Sequence, residues 1–255
     1  MKKIVKNTLF LSACGIAALV VCWGLAYLVV GNEYILPSPI QTAEEMGRLF
    51  ANGGVYAAFF ATLWRAFLAF LIAFVFGVTF SVIAYLYPAF EAFLSGIIAL
   101  LRALPTMAVL LLILLGTSHA YAPVVVGVLT LFPMLYTSSL TALSGVDGDL
   151  IEMSKIYHVP TWQRVRRLYL PSVFPALAGE GVAALSFSLK LIVSAEVLAF
   201  TYQSMGGLIQ EANLAAEAAL AMALTLLVCV VGVLLESVGL FLLGGCRKKD
   251  ALRKR

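Results

Sequence analysis

Long runs of apolar residues recur along this chain, and they limit the folds it can adopt more than any other feature. A helix of about 20 apolar residues crosses roughly 30 Å of hydrocarbon. The 255 residues are 62% hydrophobic and 12% charged, and so few charged side chains cannot cover a soluble core of this size. We therefore expect an all-α membrane protein with one domain, residues 1–255, and six transmembrane helices at 9–30, 55–86, 93–115, 122–143, 173–200 and 218–243.

The positions of the basic residues indicate which way the helices run. Lys and Arg accumulate in cytoplasmic loops, and most of the 17 in this chain fall in three places. These are the N-terminus with Lys2, Lys3 and Lys6, the segment 144–172, and the C-terminal tail. Six spans put all three on one side, so the N-terminus and the C-terminus are both predicted to be cytoplasmic. This topology accounts for the net charge of +4, and no nucleic acid is expected as a partner.

Residues that could carry catalysis or hold a metal ion are not grouped in the sequence. The predicted topology puts the two histidines, His119 and His158, on opposite sides of the membrane. The four cysteines show neither a disulfide framework nor metal-ligand spacing, and no GxxxxGK[ST] phosphate loop occurs. We therefore expect a protein that is not an enzyme, with no catalytic residue, no metal ion and no cofactor of its own.

The longest outer loop, residues 31–54, contains a stretch that is typical of a short amphipathic helix. In TAEEMGRLF, Thr42 is placed to cap the N-terminus of such a helix. Glu44 and Glu45 then fall in the first turn, where the helix dipole favours acidic side chains. We expect a helix that begins directly after Thr42.

A polar and basic segment, residues 147–171, interrupts the apolar runs two-thirds of the way along the chain. Apolar residues on one face predict a first short helix up to Ile156, with acidic residues at its N-terminal end. Pro160 ends this helix, and Thr161 can cap a second one with apolar residues at spacings of three and four. The segment is expected to lie flat on the cytoplasmic membrane face. On these residues alone, a loop that rests on anionic lipid headgroups fits equally well.

The same segment, which we call the EAA-like loop, resembles the EAA loop of binding-protein-dependent ABC importer permeases. In that pattern a glutamate is followed by two alanines, then by a glycine, and finally by I-x-L-P. A histidine at a turn that glycine normally occupies is expected to be strained there or to change the shape of the turn. The resemblance implies a coupling helix that docks onto a cytoplasmic ATPase. The matching positions, and hence the expected coupling residues, are Glu152, Met153, Ser154, His158 (at the glycine position), Leu168, Leu170 and Pro171.

Short motifs elsewhere resemble one branch of this family, the permeases of the nitrate, sulfonate and taurine type. They are LPSP at 36–39, TLWR at 62–65, RALPTMA at 102–108, FP at 132–133, AE at 195–196 and GGLI at 206–209. The resemblance implies the type I ABC importer permease fold in a bacterial cytoplasmic (inner) membrane, surrounded by membrane lipids. It also implies a second permease copy and two copies of an ABC ATPase subunit, which bind ATP and Mg. A periplasmic or lipid-anchored substrate-binding protein would deliver a small anionic solute.

Several charged residues fall inside the predicted spans, where each costs roughly 2.5 to 3.5 kcal/mol unless it finds a partner or water. Arg65, near the outer boundary, is expected to snorkel or to form a local ion pair. In the fifth span Ser186, Lys190 and Ser194 recur every four residues as a polar stripe, with Glu196 about 120° away from Lys190. We take these four as candidates for the substrate path. Lys190 suits an anionic solute and a buried ion pair with a neighbouring helix equally well, and both interpretations stay open at this point.

Two other functions fit parts of the sequence. An ion- or proton-coupled secondary transporter would use Lys190 and the glutamates of the fifth span for coupling. A membrane scaffold would use the EAA-like loop to bind lipid or a partner protein. Of the three, only the importer permease predicts an ATPase that co-purifies and hydrolyses ATP faster when a binding protein and its solute are added.

Overall fold

The computed structural model describes the backbone of residues 2–51 and 53–253, and the side chains of residues 10, 11, 14–51 and 53–243. Within these limits the chain forms α-helices and one π-helical turn, Val165–Tyr169, and no strand. This confirms the all-α fold predicted from the sequence. The basic residues of the two termini, on which the predicted orientation rests, lie outside the described side chains. The helices are α1 (Lys2–Val30), α2 (Pro39–Leu49), α3 (Gly53–Leu86), α4 (Pro88–Ala103), α5 (Thr106–Leu114), α6 (Ala122–Ser144), α7 (Gly148–Ile156), α8 (Thr161–Arg164), α9 (Leu170–Ala199), α10 (Met205–Leu214) and α11 (Ala218–Arg253).

Among the described residues, four helices are long and apolar enough to cross a membrane on their own, whereas six spans were predicted. The predicted first span, 9–30, lies within α1, and the continuous part of this helix with described side chains, Cys14–Val30, is apolar throughout. The bent pair of α4 and α5 provides a fifth crossing if it is counted as one span. The count of six therefore stays a prediction. In the described chain, the four helices that are long enough on their own are Gly53–Leu86, Ala122–Ser144, Thr161–Ala199 and Ala218–Leu243.

The predicted third span, 93–115, is wrong as a single helix. α4 and α5 are separate helices whose axes differ by 91°. Pro105 separates them because it has no amide hydrogen and disfavours the helical conformation of the preceding residue. Leu104 is accordingly extended, with ψ at 128°. The apolar run thus contains a broken span or a re-entrant loop.

Small residues bring the two central helices, α3 and α6, close together. Ala66, Ala69, Ala73 and Gly77 recur on one buried face of α3. A Cβ added to Gly77 would lie 3.0 Å from the Cβ of Leu135 on α6. Close backbone approach of this kind drives helix association in membranes, where apolar burial alone provides little difference from lipid. α9 packs against both helices, and α11 packs against α9 to complete the bundle.

Helix α2 begins four residues earlier than predicted, and the assignment of Thr42 as its N-cap is wrong. Ser38 caps the helix: its hydroxyl accepts a hydrogen bond from the Gln41 amide at 3.1 Å, and the Gln41 side chain accepts one from the Ser38 amide at 3.0 Å. This reciprocal capping box satisfies two backbone donors, and Pro39 at the first helical position needs no acceptor. Thr42 is buried instead, and its hydroxyl donates to the Ser38 carbonyl at 3.0 Å.

The EAA-like loop forms one short helix followed by the start of a long one, so the predicted second flat helix is wrong. α7 begins after Asp147, whose side chain accepts a hydrogen bond from the Asp149 amide at 3.0 Å. Pro160, and not Thr161, holds the N-cap position of α8. From Thr161 onward the chain stays helical to the end of α9 through the π-helical turn. No helix breaker lies in this stretch before Pro171, which falls in the first turn of α9.

Candidate functional site

The exposed side of α7 carries residues that are free to contact another protein. Glu152 is exposed, and Met153 and Ile156 expose 51% and 68% of their surface. His158, just beyond the end of the helix, is also exposed. Large apolar side chains held out on a short surface helix are typical of a protein contact. Three of the predicted coupling residues, Glu152, Met153 and His158, are therefore available to a partner.

Other predicted coupling residues make contacts within the chain. Ser154 is buried, and its hydroxyl donates to the Ile151 carbonyl at 2.6 Å. Leu168 packs against the buried apolar cluster at the end of α6 and the start of α9. Leu170 and Pro171 are exposed where α9 begins. Ser154 and Leu168 thus hold the EAA-like loop against the bundle, which leaves the opposite side of α7 for a partner.

α7 ends in a turn in which His158 takes the place that glycine usually has. The φ angle of His158 is 49°, in the left-handed region. Its amide bonds to the Lys155 carbonyl at 2.9 Å, and the Val159 amide bonds to the Ser154 carbonyl at 3.0 Å. These two bonds are the pattern of a Schellman C-cap. A histidine therefore adopts the left-handed turn here, and its backbone carries a strain of roughly 1 kcal/mol that glycine would not.

A buried ion pair connects three helices near the end of α9. Glu196 is fully buried, and its Oε1 accepts a hydrogen bond from Arg65 Nη1 at 3.0 Å. Its Oε2 accepts bonds from the Thr62 hydroxyl at 2.8 Å and from the Gly206 amide at 3.3 Å. The Thr62 hydroxyl oxygen accepts a further bond from the Met205 amide at 2.9 Å. Through this carboxylate α3, α9 and the first turn of α10 are held together.

The first turn of α10 approaches α9 so closely that side chains do not fit there. A Cβ on Gly206 would clash with the Glu196 Cβ and the Val193 carbonyl oxygen. A Cβ on Gly207 would clash with the Thr201 carbonyl oxygen. The two glycines of the GGLI motif therefore allow the Gly206 amide to reach the buried carboxylate.

The pairing of Arg65 with Glu196 was not predicted from the sequence, where they are 131 positions apart. Glu196 was taken as a candidate for the substrate path, and Arg65 as a boundary charge. The pair could have been inferred from the predicted topology. The second span begins and the fifth span ends at the same predicted membrane face, where one carries Arg65 and the other carries Glu196. Opposite charges at one depth of a helical bundle are candidates for an ion pair.

Lys190 lies on the surface of the described chain. Its aliphatic stem lies over Gly232 of α11, where an added Cβ would come within 3.5 Å of the Lys190 Cε. Neither of the two ion pairs found among the described side chains includes it. The ammonium group of Lys190 thus has no carboxylate partner within the described part of this chain.

The four path candidates do not form one continuous surface. Ser186 is buried in the contact with α11, and its hydroxyl donates to the Gly232 carbonyl at 2.8 Å. Ser194 is exposed on the same face as Lys190, and its hydroxyl donates to the Lys190 carbonyl at 3.0 Å. Glu196 belongs to the ion pair described above. Lys190 and Ser194 are therefore the two candidates that a solute could reach from the surface of α9.

Comparison with known proteins gives a family and several relatives. A family model described as "Binding-protein-dependent transport system inner membrane component" matches residues 77–243. The permease protein SsuC of Bacillus subtilis (strain 168), named for aliphatic sulfonates transport, is 24% identical over 224 residues, which is 87% of this chain and 80% of SsuC. TmoV of Pelagibacter ubique (strain HTCC1062), a trimethylamine N-oxide transport system permease protein, is 27% identical over 103 residues, which is 40% of this chain and 14% of TmoV.

Solved structures of ABC transporters have a similar fold. A chain of a bacterial ABC transporter involved in the import of the acidic polysaccharide alginate superposes with a TM-score of 0.66 at 17% identity, over 94% of this chain and 97% of that one. A chain of the MetNI methionine ABC transporter, in an inward-facing conformation, superposes with a TM-score of 0.63 at 20% identity, over 75% of this chain and 94% of that one. At such identities the likeness concerns the fold alone.

Proposed function

The chain belongs to the family of binding-protein-dependent transport system inner membrane components, and on that premise we propose that two copies form the membrane path of an ABC importer for a small anionic solute. The chain is a permease subunit of this importer class. In the proposed assembly two separate ATPase subunits bind ATP and Mg on the cytoplasmic side. A substrate-binding protein delivers the solute from the other side of a bacterial cytoplasmic membrane.

We assign the ATPase contact to α7. Its exposed side presents Glu152, Met153 and Ile156, while Ser154 faces the bundle. The EAA-like loop continues into α9 without a break from Thr161 onward. Rigid helices transmit displacement, so a movement of α7 on the ATPase would pass through the turn at 157–160 to α8 and α9, which carries Lys190.

Lys190 is the observation that carries the choice of an anionic solute. It lies nine residues before the end of α9, which is about 14 Å along the helix axis. A charge near the centre of a membrane helix costs roughly 2.5 to 3.5 kcal/mol on insertion scales, and water or an anion beside it lowers that cost. The sulfonate group in the solutes for which SsuC is named is such an anion.

Transport into proteoliposomes tests this function, with the permease, its ATPase and its binding protein reconstituted together and a labelled alkanesulfonate as the probe. Lys190→Met should lower uptake at least about tenfold, because a charge-assisted contact contributes roughly 1.5 to 3 kcal/mol. Lys190→Arg, which keeps the charge, should retain most of the uptake. The ATPase should co-purify with the wild-type permease and with both Lys190 variants, since Lys190 is remote in sequence from α7.

Two results would contradict the proposal separately. Wild-type uptake by Lys190→Met would show that the path does not use this cation. Failure of any ATPase to co-purify with the wild-type permease would remove the importer assembly itself.

A further inference from the structure

A cavity of about 330 Å³, which we call the loop cavity, lies between the EAA-like loop and the end of α3. Two of the side chains in its wall are cations, and none is a carboxylate. The cavity is therefore positively charged and also offers hydroxyl groups. Apart from two aliphatic residues, its wall consists of Tyr85, Tyr87, Lys155, Thr161, Arg164 and Tyr169.

The guanidinium group of Arg164 has a donor that the described part of the chain does not satisfy. Its Nη2 donates to the Thr161 hydroxyl at 3.1 Å. Its Nε is buried and has no hydrogen-bond partner among the described residues. Lys155 takes part in neither of the ion pairs found among those side chains. Because neither of the two cations in the cavity wall is paired with a carboxylate among the described side chains, an anion in the cavity would be stabilising.

Phosphate oxygens match this set of donors. A guanidinium group presents a planar fork that binds two phosphate oxygens at once, and an ammonium group adds a point charge. The cavity volume lies in the range of sites for organic ligands, so it has room for a headgroup and not merely for one small ion. Tyr85 and Tyr87 stand where the apolar helix α3 ends, and Tyr is enriched at this level, the membrane–water interface.

The cavity lies on the side of α7 that faces α3, next to the exposed side that we assign to the ATPase. Lys155 lines the cavity, Met153 is about 160° from it around the helix, and Glu152 is about 60° from it. Arg166 and Arg167 are exposed on the same loop but are not part of the cavity wall. The tyrosines at the end of α3 and the basic residues of the loop favour a lipid over an ATPase side chain as the source of the anion.

We propose that the loop cavity binds the phosphate of an anionic phospholipid and thereby holds α7 against α3. The bound lipid makes the position of the coupling helix depend on the lipid composition of the membrane. The effect on coupling and the choice of the cytoplasmic leaflet rest on the proposed function. The binding of the phosphate does not, because it needs only this chain.

The test is lipid retention by the purified permease without any ATPase, measured by native mass spectrometry. The protein is released from nanodiscs that contain equal amounts of phosphatidylglycerol and phosphatidylcholine, which differ in headgroup charge. The wild type should retain phosphatidylglycerol in preference. The double variant Lys155→Gln/Arg164→Gln should lose this preference at least about tenfold, because both charge-assisted contacts are removed. Arg166→Gln/Arg167→Gln removes the same charge outside the cavity and should keep the preference.

Equal retention by the wild type and the cavity variant would overturn the proposal, as would an equal loss in the control, which would show diffuse attraction only. If inorganic phosphate raises the melting temperature of the delipidated wild type as much as phosphatidylglycerol does, the ligand is free phosphate and not lipid. Normal lipid retention by a cavity variant that no longer binds the ATPase would assign the cavity to an acidic ATPase side chain. Arg164→Lys keeps the charge and is a control for misfolding of the double variant. It should show a reduced but measurable preference for phosphatidylglycerol. Full preference would show that the phosphate does not need the guanidinium group.

Discussion

Arg65→Met tests the ion pair that holds α3, α9 and α10 together, because it removes the cation and keeps most of the side-chain length. In this variant the buried Glu196 would still accept hydrogen bonds from Thr62 and Gly206. It would lose the guanidinium group that now lies 3.0 Å away. The carboxylate would then be desolvated without a compensating charge.

The burial of the two partners sets the expected magnitudes. The Glu196 side chain is 0% exposed and the Arg65 side chain is 17% exposed. Removal of one partner from a buried pair costs roughly 3 to 5 kcal/mol, and this applies to Arg65→Met because the more deeply buried charge is left behind. Glu196→Gln should cost less, about 1 to 3 kcal/mol, since Arg65 can still reach water. The double variant leaves neither charge buried and should be more stable than Arg65→Met alone.

Thermal unfolding of the purified permease in detergent measures these differences. At roughly 2 to 4 °C per kcal/mol, Arg65→Met should lower the melting temperature by about 6 to 20 °C. Arg48→Met is the matched control, because it breaks an ion pair with Glu45 in which the Arg48 side chain is 73% exposed, and it should cost less than about 1 kcal/mol. Equal melting temperatures for Arg65→Met and Arg48→Met, or strictly additive effects in the double variant, would refute the reasoning.

Two further changes test the EAA-like loop. Glu152→Lys reverses a charge on the exposed side of α7 and should abolish ATPase co-purification while membrane insertion stays normal. Glu211→Lys, the same change at an exposed position of α10, should leave ATPase co-purification intact. Normal ATPase binding by Glu152→Lys would remove α7 from the contact. His158→Gly should stabilise the permease by up to about 1 kcal/mol in thermal unfolding, because glycine adopts a φ of 49° without strain. A lower melting temperature for this variant would mean that the imidazole side chain, and not the backbone, determines the stability of the turn.

The helical fold was predictable because long apolar runs leave the backbone few alternatives. The predicted spans 55–86 and 122–143 agree with α3 and α6 to within two residues at each end. In lipid every amide and carbonyl must be paired within the protein, so apolar runs of this length favour helices. The same argument explains why the fold class emerged without any knowledge of the contacts between helices.

The breaks, the caps and the side-chain pairings depend on finer causes. Pro105 divides the run 93–115 because of a local backbone restriction, which an average of hydropathy over the run does not register. Ser38 caps α2 through reciprocal hydrogen bonds with Gln41. The start of this helix is therefore indicated by the pair Ser38 and Gln41, and not by the helical pattern that suggested Thr42. The partner of Glu196 depends on how α3 and α9 pack, which is a property of the whole bundle.

The position of Lys190 gives a physical reason for the proposed assembly of two copies around one path. The face of α9 that carries it also exposes Phe187, Ser194 and Leu198 at spacings of three and four residues. If this face met lipid, the ammonium group would be desolvated about 14 Å from the end of the helix, at a cost of roughly 2.5 to 3.5 kcal/mol. A water-filled path between two copies would avoid that cost. Two symmetric lysines facing one path would repel each other, and an anionic solute between them would reduce the repulsion. The same residue thus favours both a second copy and a negatively charged solute.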